Sequence, residues 1–395
     1  GQVNDPADQV RCNGAATAAV NFTTNRTGGT TTYSWTNSTT SIGLAASGTG
    51  NIASFTALNT GTSPVTATIT VTPSFAGCAG TPETFTITVN PSGQVTDPAD
   101  QVLCNGAATS AVNFTTNRTG GTTTYSWTNN TTSIGLAASG NGNIPSFTAV
   151  NNGTSPVTAT ITVTPSFEGC AGTPQAFTIT VNPSGQVNDP ADQVRCNGAA
   201  TAAVNFGTNR TGGTTTYSWT NNTTSIGLAA SGNGNISSFT AVNNGTSPVT
   251  ATITVTPSFE GCAGTPQTFT ITVNPSGQVN DPADQVRCNG AATAAVNFTT
   301  NRTGGTTTYA WTNSTPSIGL GASGTGNIPS FTATNNGTAP VTATITVTPS
   351  FEGCAGTQQT FTITVNPTPA LNSTLTPADR CSNSLFTYTP TSLTA

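Results

Sequence analysis

Along the first ninety residues, apolar and polar side chains alternate one for one in five runs. Ala16, Ala18, Val20 and Phe22 alternate with Thr17, Ala19, Asn21 and Thr23. Thr31, Tyr33 and Trp35 alternate with Thr32, Ser34 and Thr36. Ala53, Phe55 and Ala57 enclose Ser54 and Thr56, and Val65, Ala67, Ile69 and Val71 interleave with threonines, as do Phe85, Ile87 and Val89. A period of two with one apolar face predicts half-buried antiparallel strands. Turn-forming runs at 25–29, 47–51 and 59–61 separate them. Gln2–Val3, Gln9–Val10 and Ile42–Leu44 are weaker strand candidates, and no stretch carries the 3.6-residue period of a helix. About seven short strands follow, the pattern of an all-β, antiparallel, immunoglobulin-like β-sandwich. Trp35 is then the central core aromatic, recurring as Trp127, Trp219 and Trp311.

The whole pattern repeats. GQVNDPADQVRCNGAAT begins at Gly1, and near-copies begin at Gly93, Gly185 and Gly277, a period of 92 residues. That is too long for a solenoid repeat of ~20–50 residues and suits one small domain. The chain therefore reads as a tandem array of domains at 1–92, 93–184, 185–276 and 277–368. Residues 369–395 begin a divergent, incomplete fifth, where LTPADRCSNS echoes NDPADQVRCNG. These last residues supply only the first strands of a sandwich. The chain is expected to be a segment, completed by a continuing domain or by a strand from another molecule.

Composition narrows the function. The 395 residues include no His, no Met and no Lys; charged residues are 5%, and the net charge is -5. Without His there is no Ser-His-Asp or Cys-His pair and no histidine metal site. Without Lys there is no Walker lysine and no Schiff base. An enzyme is not expected, nor a cofactor. The charge gives no footprint for nucleic acid, and no apolar run approaches the ~18 residues of a membrane span. The low charge does not signal disorder, because the polar residues are largely β-branched Thr, which suits the exposed face of a sheet.

Cysteines follow the repeat as Cys12 and Cys78, Cys104 and Cys170, Cys196 and Cys262, and Cys288 and Cys354, with Cys381 left unpaired in the segment. Two per repeat favour one disulfide within each domain, an extracellular location, and about 4 kcal/mol per loop. A bridge between neighbours (Cys78 to Cys104) or buried reduced thiols are the alternatives.

Across residues 1–368 the run from CNGAATAAVNF through SIGLAASGTGNI and PVTATITVTPSF to TFTITVNP resembles the PKD-like, Ig-fold repeats of very long secreted proteins of Bacteroidota-type bacteria. The resemblance implies stalks, fibres or adhesin shafts, often exported by a type IX route.

Asp5 and Asp8 recur as Asp97 and Asp100, Asp189 and Asp192, and Asp281 and Asp284. Such pairs suit calcium, but two carboxylates are few, and an Asx-type turn before Pro is the favoured reading. A core role is likewise favoured over a sugar platform for Tyr33 and Trp35. Arg26, Arg118, Arg210 and Arg302 lie in a turn and are expected to be solvated or paired with an acid. Of eighteen N-x-S/T sequons, Asn25, Asn117, Asn209 and Asn301 share one turn, and Asn37, Asn129, Asn221 and Asn313 follow the Trp strand. Asn21, Asn113 and Asn297 lie on a predicted solvent face, and Asn152, Asn244 and Asn336 in a further turn. These are the glycosylation candidates, set against the plain use of Asn in turns. The expected function is a structural, rod- or fibre-forming array on or shed from a bacterial surface. Its partners would be further repeats of the same chain or other copies, with covalent glycans. A glycan-binding adhesin, or a spacer for an enzyme domain outside the segment, are the rivals.

Overall fold

The computed structural model describes residues 1–373 and 389–392; Cys381 lies outside the described residues. In the first repeat six strands make one sheet: β1 (Gln9–Cys12), β2 (Thr31–Asn37), β3 (Ser47–Thr49), β4 (Val65–Phe75), β5 (Cys78–Ala79) and β6 (Glu83–Asn90). Their order is β1-β6-β4-β2-β3, with β5 paired to β4. Among the described residues three further sheets, at 101–182, 193–274 and 285–366, repeat that order. By contacts the chain falls into two compact units. One comprises Gly1–Gln186, Asn209–Thr215 and Ser258–Gly264; the other comprises Val187–Thr208, Thr216–Pro257 and Thr265–Ala395.

The alternation in β2, β4 and β6 works as the period of two predicts. Ala67, Ile69, Val71, Phe85, Ile87 and Val89 are buried. The threonines between them face outward, where Thr66 and Thr88 pair their hydroxyls across the strands at 2.9 Å. Phe22, Tyr33 and Phe85 form an aromatic cluster with ring centroids at 5.4 and 6.5 Å. Trp35 is buried, and its indole N–H has no partner. The core reading of Trp35 stands.

Other expectations are corrected. The sheet is not wholly antiparallel, because β1 runs parallel to β6, pairing Gln9 with Ile87 and Cys12 with Asn90. Ile42–Leu44 is not a strand. Thr40–Ile42 is a 3₁₀ turn closed by Gly43 at φ 94°. The second layer is sparser than predicted: residues 16–22 and 52–57 pair as isolated β-bridges at Ala16–Thr56 and Val20–Ile52 rather than as a continuous ladder. Ala16 and Ala18 face out there, and Thr17 is buried. The Gln9 side chain causes the break in phase. Its Nε2 donates to the Ala18 carbonyl and its Oε1 accepts the Ala18 N–H, at 3.0 and 2.9 Å. A side-chain amide thus takes the place of a strand neighbour. The buried Thr17 hydroxyl bridges to Phe55, accepting its N–H at 3.0 Å.

Gly48 faces Trp35 across the β2–β3 pair. A Cβ there would stand 2.2 Å from the ring carbon Cζ2, so the indole needs a residue without a side chain. Gly48→Ala is expected to destabilise its repeat by about 1–3 kcal/mol through overpacking, read as faster amide exchange in β2 and β3. Unchanged exchange would show that the ring moves aside freely.

Candidate functional site: the junction between repeats

What singles out a site in this chain is where the cysteines go. Cys12 is bonded to Cys170, Cys104 to Cys262 and Cys196 to Cys354. Each bond joins the early cysteine of one repeat to the late cysteine of the next, with Cα atoms 5.3–5.4 Å apart. This corrects the expectation of bonds within repeats, and equally the alternative of Cys78 to Cys104. Cys78 and Cys288 are free and exposed.

The strand pairings dictate this. Because β1 is parallel to β6, Cys12 lies level with Asn90, at the end where the chain leaves the repeat. Cys78 opens β5 beyond the tight turn at Ala76 and Gly77, next to the start of β6. Seven residues of strand separate the two ends, roughly 23 Å, against the ~7 Å limit for a disulfide's Cα atoms. The late cysteine of the next repeat is close instead. Three residues past Asn90, the N–H of Gly93 donates to the Cys170 carbonyl at 2.9 Å, and Gly185 and Gly277 do the same to Cys262 and Cys354. The approach is so tight that a Cβ on Gly172 would lie 1.8 Å from the Gly93 oxygen.

Arg26 is exposed, as expected of a solvated turn residue, but its three later copies are not free in solvent. The Arg118 guanidinium donates to the Ser92 carbonyl in the linker at 2.8 Å and to the Gly61 carbonyl of the preceding repeat at 2.7 Å. Arg210 joins Ser184 and Gly153, and Arg302 joins Ser276 and Gly245, in the same way. Each pins two carbonyls where no acid is needed. Beside them Thr119 N–H donates to Thr62, Thr211 to Thr154, and Thr303 to Thr246. The bonded Cys170, Cys262 and Cys354 are 2% exposed, while their partners Cys12, Cys104 and Cys196 are half-buried. The signal in the sequence is the Asn-Arg-Thr-Gly-Gly turn, which recurs in all four repeats and carries four of the chain's eight arginines.

The second acid of each pair serves a strand. Asp8 Oδ1 accepts the Thr86 N–H at 2.6 Å, and Asp100, Asp192 and Asp284 do so from Thr178, Thr270 and Thr362. That amide holds the carboxyls of Asp100 and Asp284 below their usual range. Among the described residues no three acids or cysteines gather as a metal site. Asp8 therefore ties the segment before β1 to β6 rather than closing a local turn, with its carboxylate committed to a backbone amide.

The asparagines divide. Asn37, Asn129, Asn221 and Asn313 are buried, and each Nδ2 donates to a backbone carbonyl, Asn37 to Leu44 at 3.0 Å. The atom that would carry a glycan is already engaged, so these four leave the candidates. Asn59 and its copies, which no sequon marked, do comparable work inside: Asn59 Nδ2 donates to Ser63 and Val89 carbonyls. Asn25, Asn117, Asn209 and Asn301 are exposed, as are Asn21, Asn113, Asn297, Asn152, Asn244 and Asn336.

No family model matches this chain, and no curated protein matches it. Among solved structures it is similar to Drosophila N-cadherin EC1-4, at 12% identity over 91% of this chain and 98% of that one, with a TM-score of 0.29. Protocadherin gammaB7 EC3-6 gives 13%, 92%, 100% and 0.33. The N-terminal eight Ig domains of Down Syndrome Cell Adhesion Molecule give 10% and 0.39, with 93% of this chain covering 49% of that one. Likeness at this level says nothing of what this chain binds.

Peptide mapping without reduction is expected to recover Cys12–Cys170, Cys104–Cys262 and Cys196–Cys354 as linked pairs, with Cys78 and Cys288 open to alkylation. A Cys12–Cys78 link would return the bonds to the interior of each repeat.

Proposed function

We propose that the chain is a non-enzymatic, extracellular structural array. Its Ig-like domains follow the 92-residue period and are stapled end to end into fibres on or shed from a bacterial surface. The observation that carries this is the junction itself: disulfide, arginine clamp and backbone pair, built three times over. A bonded and clamped joint resists bending in a way that a flexible linker does not. Among the described residues the large exposed apolar side chains are scattered Val and Leu, with no aromatic among them, which lends an adhesive glycan platform no support.

The free thiols extend the reading. Cys78 and Cys288 sit at the repeat positions that are bonded at the three junctions, and each is proposed to take a cysteine of another such repeat. Between two copies, Cys288 of one and Cys78 of the next would form a head-to-tail contact that does not close on itself. Each bond releases two protons and passes two electrons to a small-molecule disulfide, which leaves as two thiols. Oxidising the 395-residue chain with such a disulfide should yield filaments of uniform width under the electron microscope, reverting to single chains on reduction. Compact aggregates, or Cys288–Cys288 links in their digests, would refute the array.

Glycans are proposed on the exposed turn asparagines Asn25, Asn117, Asn209 and Asn301, where they would supply the solubility that charge does not. Intact-peptide mass spectrometry of native material should find mass added there and none at Asn37. Four bare turns would end the proposal.

A further inference from the structure

The staples do more than hold neighbours together; they reroute the covalent path through the molecule. Each spans 158 residues, and successive spans overlap, since Cys104 and Cys262 bracket the ends of the spans on either side. A pull on Cys12 crosses the disulfide to Cys170. From there the backbone runs through Gln175–Asn182, the counterpart of β6, and Gln193–Cys196, the counterpart of β1. At Cys196 the path crosses again, to Cys354. Everything in 13–169 and 197–353 lies in closed loops beside it.

We propose that the array is an inextensible tether, in which tension travels along the disulfides and these two strands and bypasses the other strands of each sandwich. This rests on the structural reading above. The stretch from Cys170 to Cys196 is about 26 residues, roughly 90 Å when fully drawn out, and serves two repeats. Much of it is already at full strand extension in the folded state. Unfolding a sandwich therefore adds almost no length, whereas in a chain without such bonds each repeat would release all its residues. The Trp strand, β2, and its copies lie wholly within the bypassed loops.

The test is single-molecule stretching of the full 395-residue chain, held at its two ends. Oxidised, it should reach a limit of roughly 300 Å without stepwise lengthening, and under a reducing dithiol roughly 1,400 Å, about five-fold more. Two paired variants separate this from mere stabilisation. Cys12→Ser with Cys170→Ser removes a bond on the path, diverts it through Cys104–Cys262 and back along 196–262, and should raise the oxidised limit to roughly 750 Å. Cys104→Ser with Cys262→Ser removes a bond off the path and should leave it unchanged. These limits depend on which sulfurs are bonded, so they hold whether or not a variant's cores are well packed. They are read on one molecule, so failure to form fibres would not affect them. An oxidised wild-type chain that lengthens in steps beyond roughly 300 Å, or an increase in the second variant equal to that in the first, would overturn the proposal.

Discussion

The parallel pairing of β1 with β6 is the constraint on which the rest depends. It sets Cys12 beside Asn90 at the exit of each repeat, while the β4–β5 turn carries the other cysteine to the entrance. Once the two lie at opposite ends, neither has a partner at home. The short linker then delivers Gly93 to the Cys170 carbonyl, and the sulfurs of adjacent repeats meet. Had β1 crossed to the other layer, the same cysteines would have faced a different neighbour. In the loop-entropy model a span of 158 residues makes each staple worth about 5 kcal/mol, and that stabilisation is shared by two repeats.

Around this the chain is built with very little charge. Where other proteins would use ion pairs, this one uses neutral amides and hydroxyls at fixed places. Gln9 stands in for a strand neighbour of Ala18; Asn37 and Asn59 satisfy buried carbonyls; Thr66 and Thr88 tie the outer face. Such bonds involve no pairing of buried charges and so avoid most of the desolvation cost that charges carry. The few charges present are placed where one ion can hold backbone: Arg118 on two carbonyls, Asp100 on the Thr178 amide.

Repetition magnifies each of these choices. A contact that is modest once recurs at every junction with the same partners, because the residues that make it return every 92 positions. Stapling consecutive repeats also couples their unfolding, so a repeat cannot open fully without its neighbours' bonds limiting it.

The all-β class, the repeats, the buried faces of β2, β4 and β6 and the core position of Trp35 were all legible in the sequence. They depend on local alternation and on composition, which a chain carries regardless of what lies beside it. Even the cysteines announced an oxidised protein. Their pairing did not follow, nor did the junction role of Arg118, the burial of Thr17 or the internal bonds of Asn37. Each of these depends on which strand lies next to which, and in which direction. Alternation says that a strand has two faces but is silent on its neighbour and its sense. The direction of one four-residue strand, Gln9–Cys12, decided whether the bonds would lock each bead or chain the beads together, and only the assembled sheet holds that information.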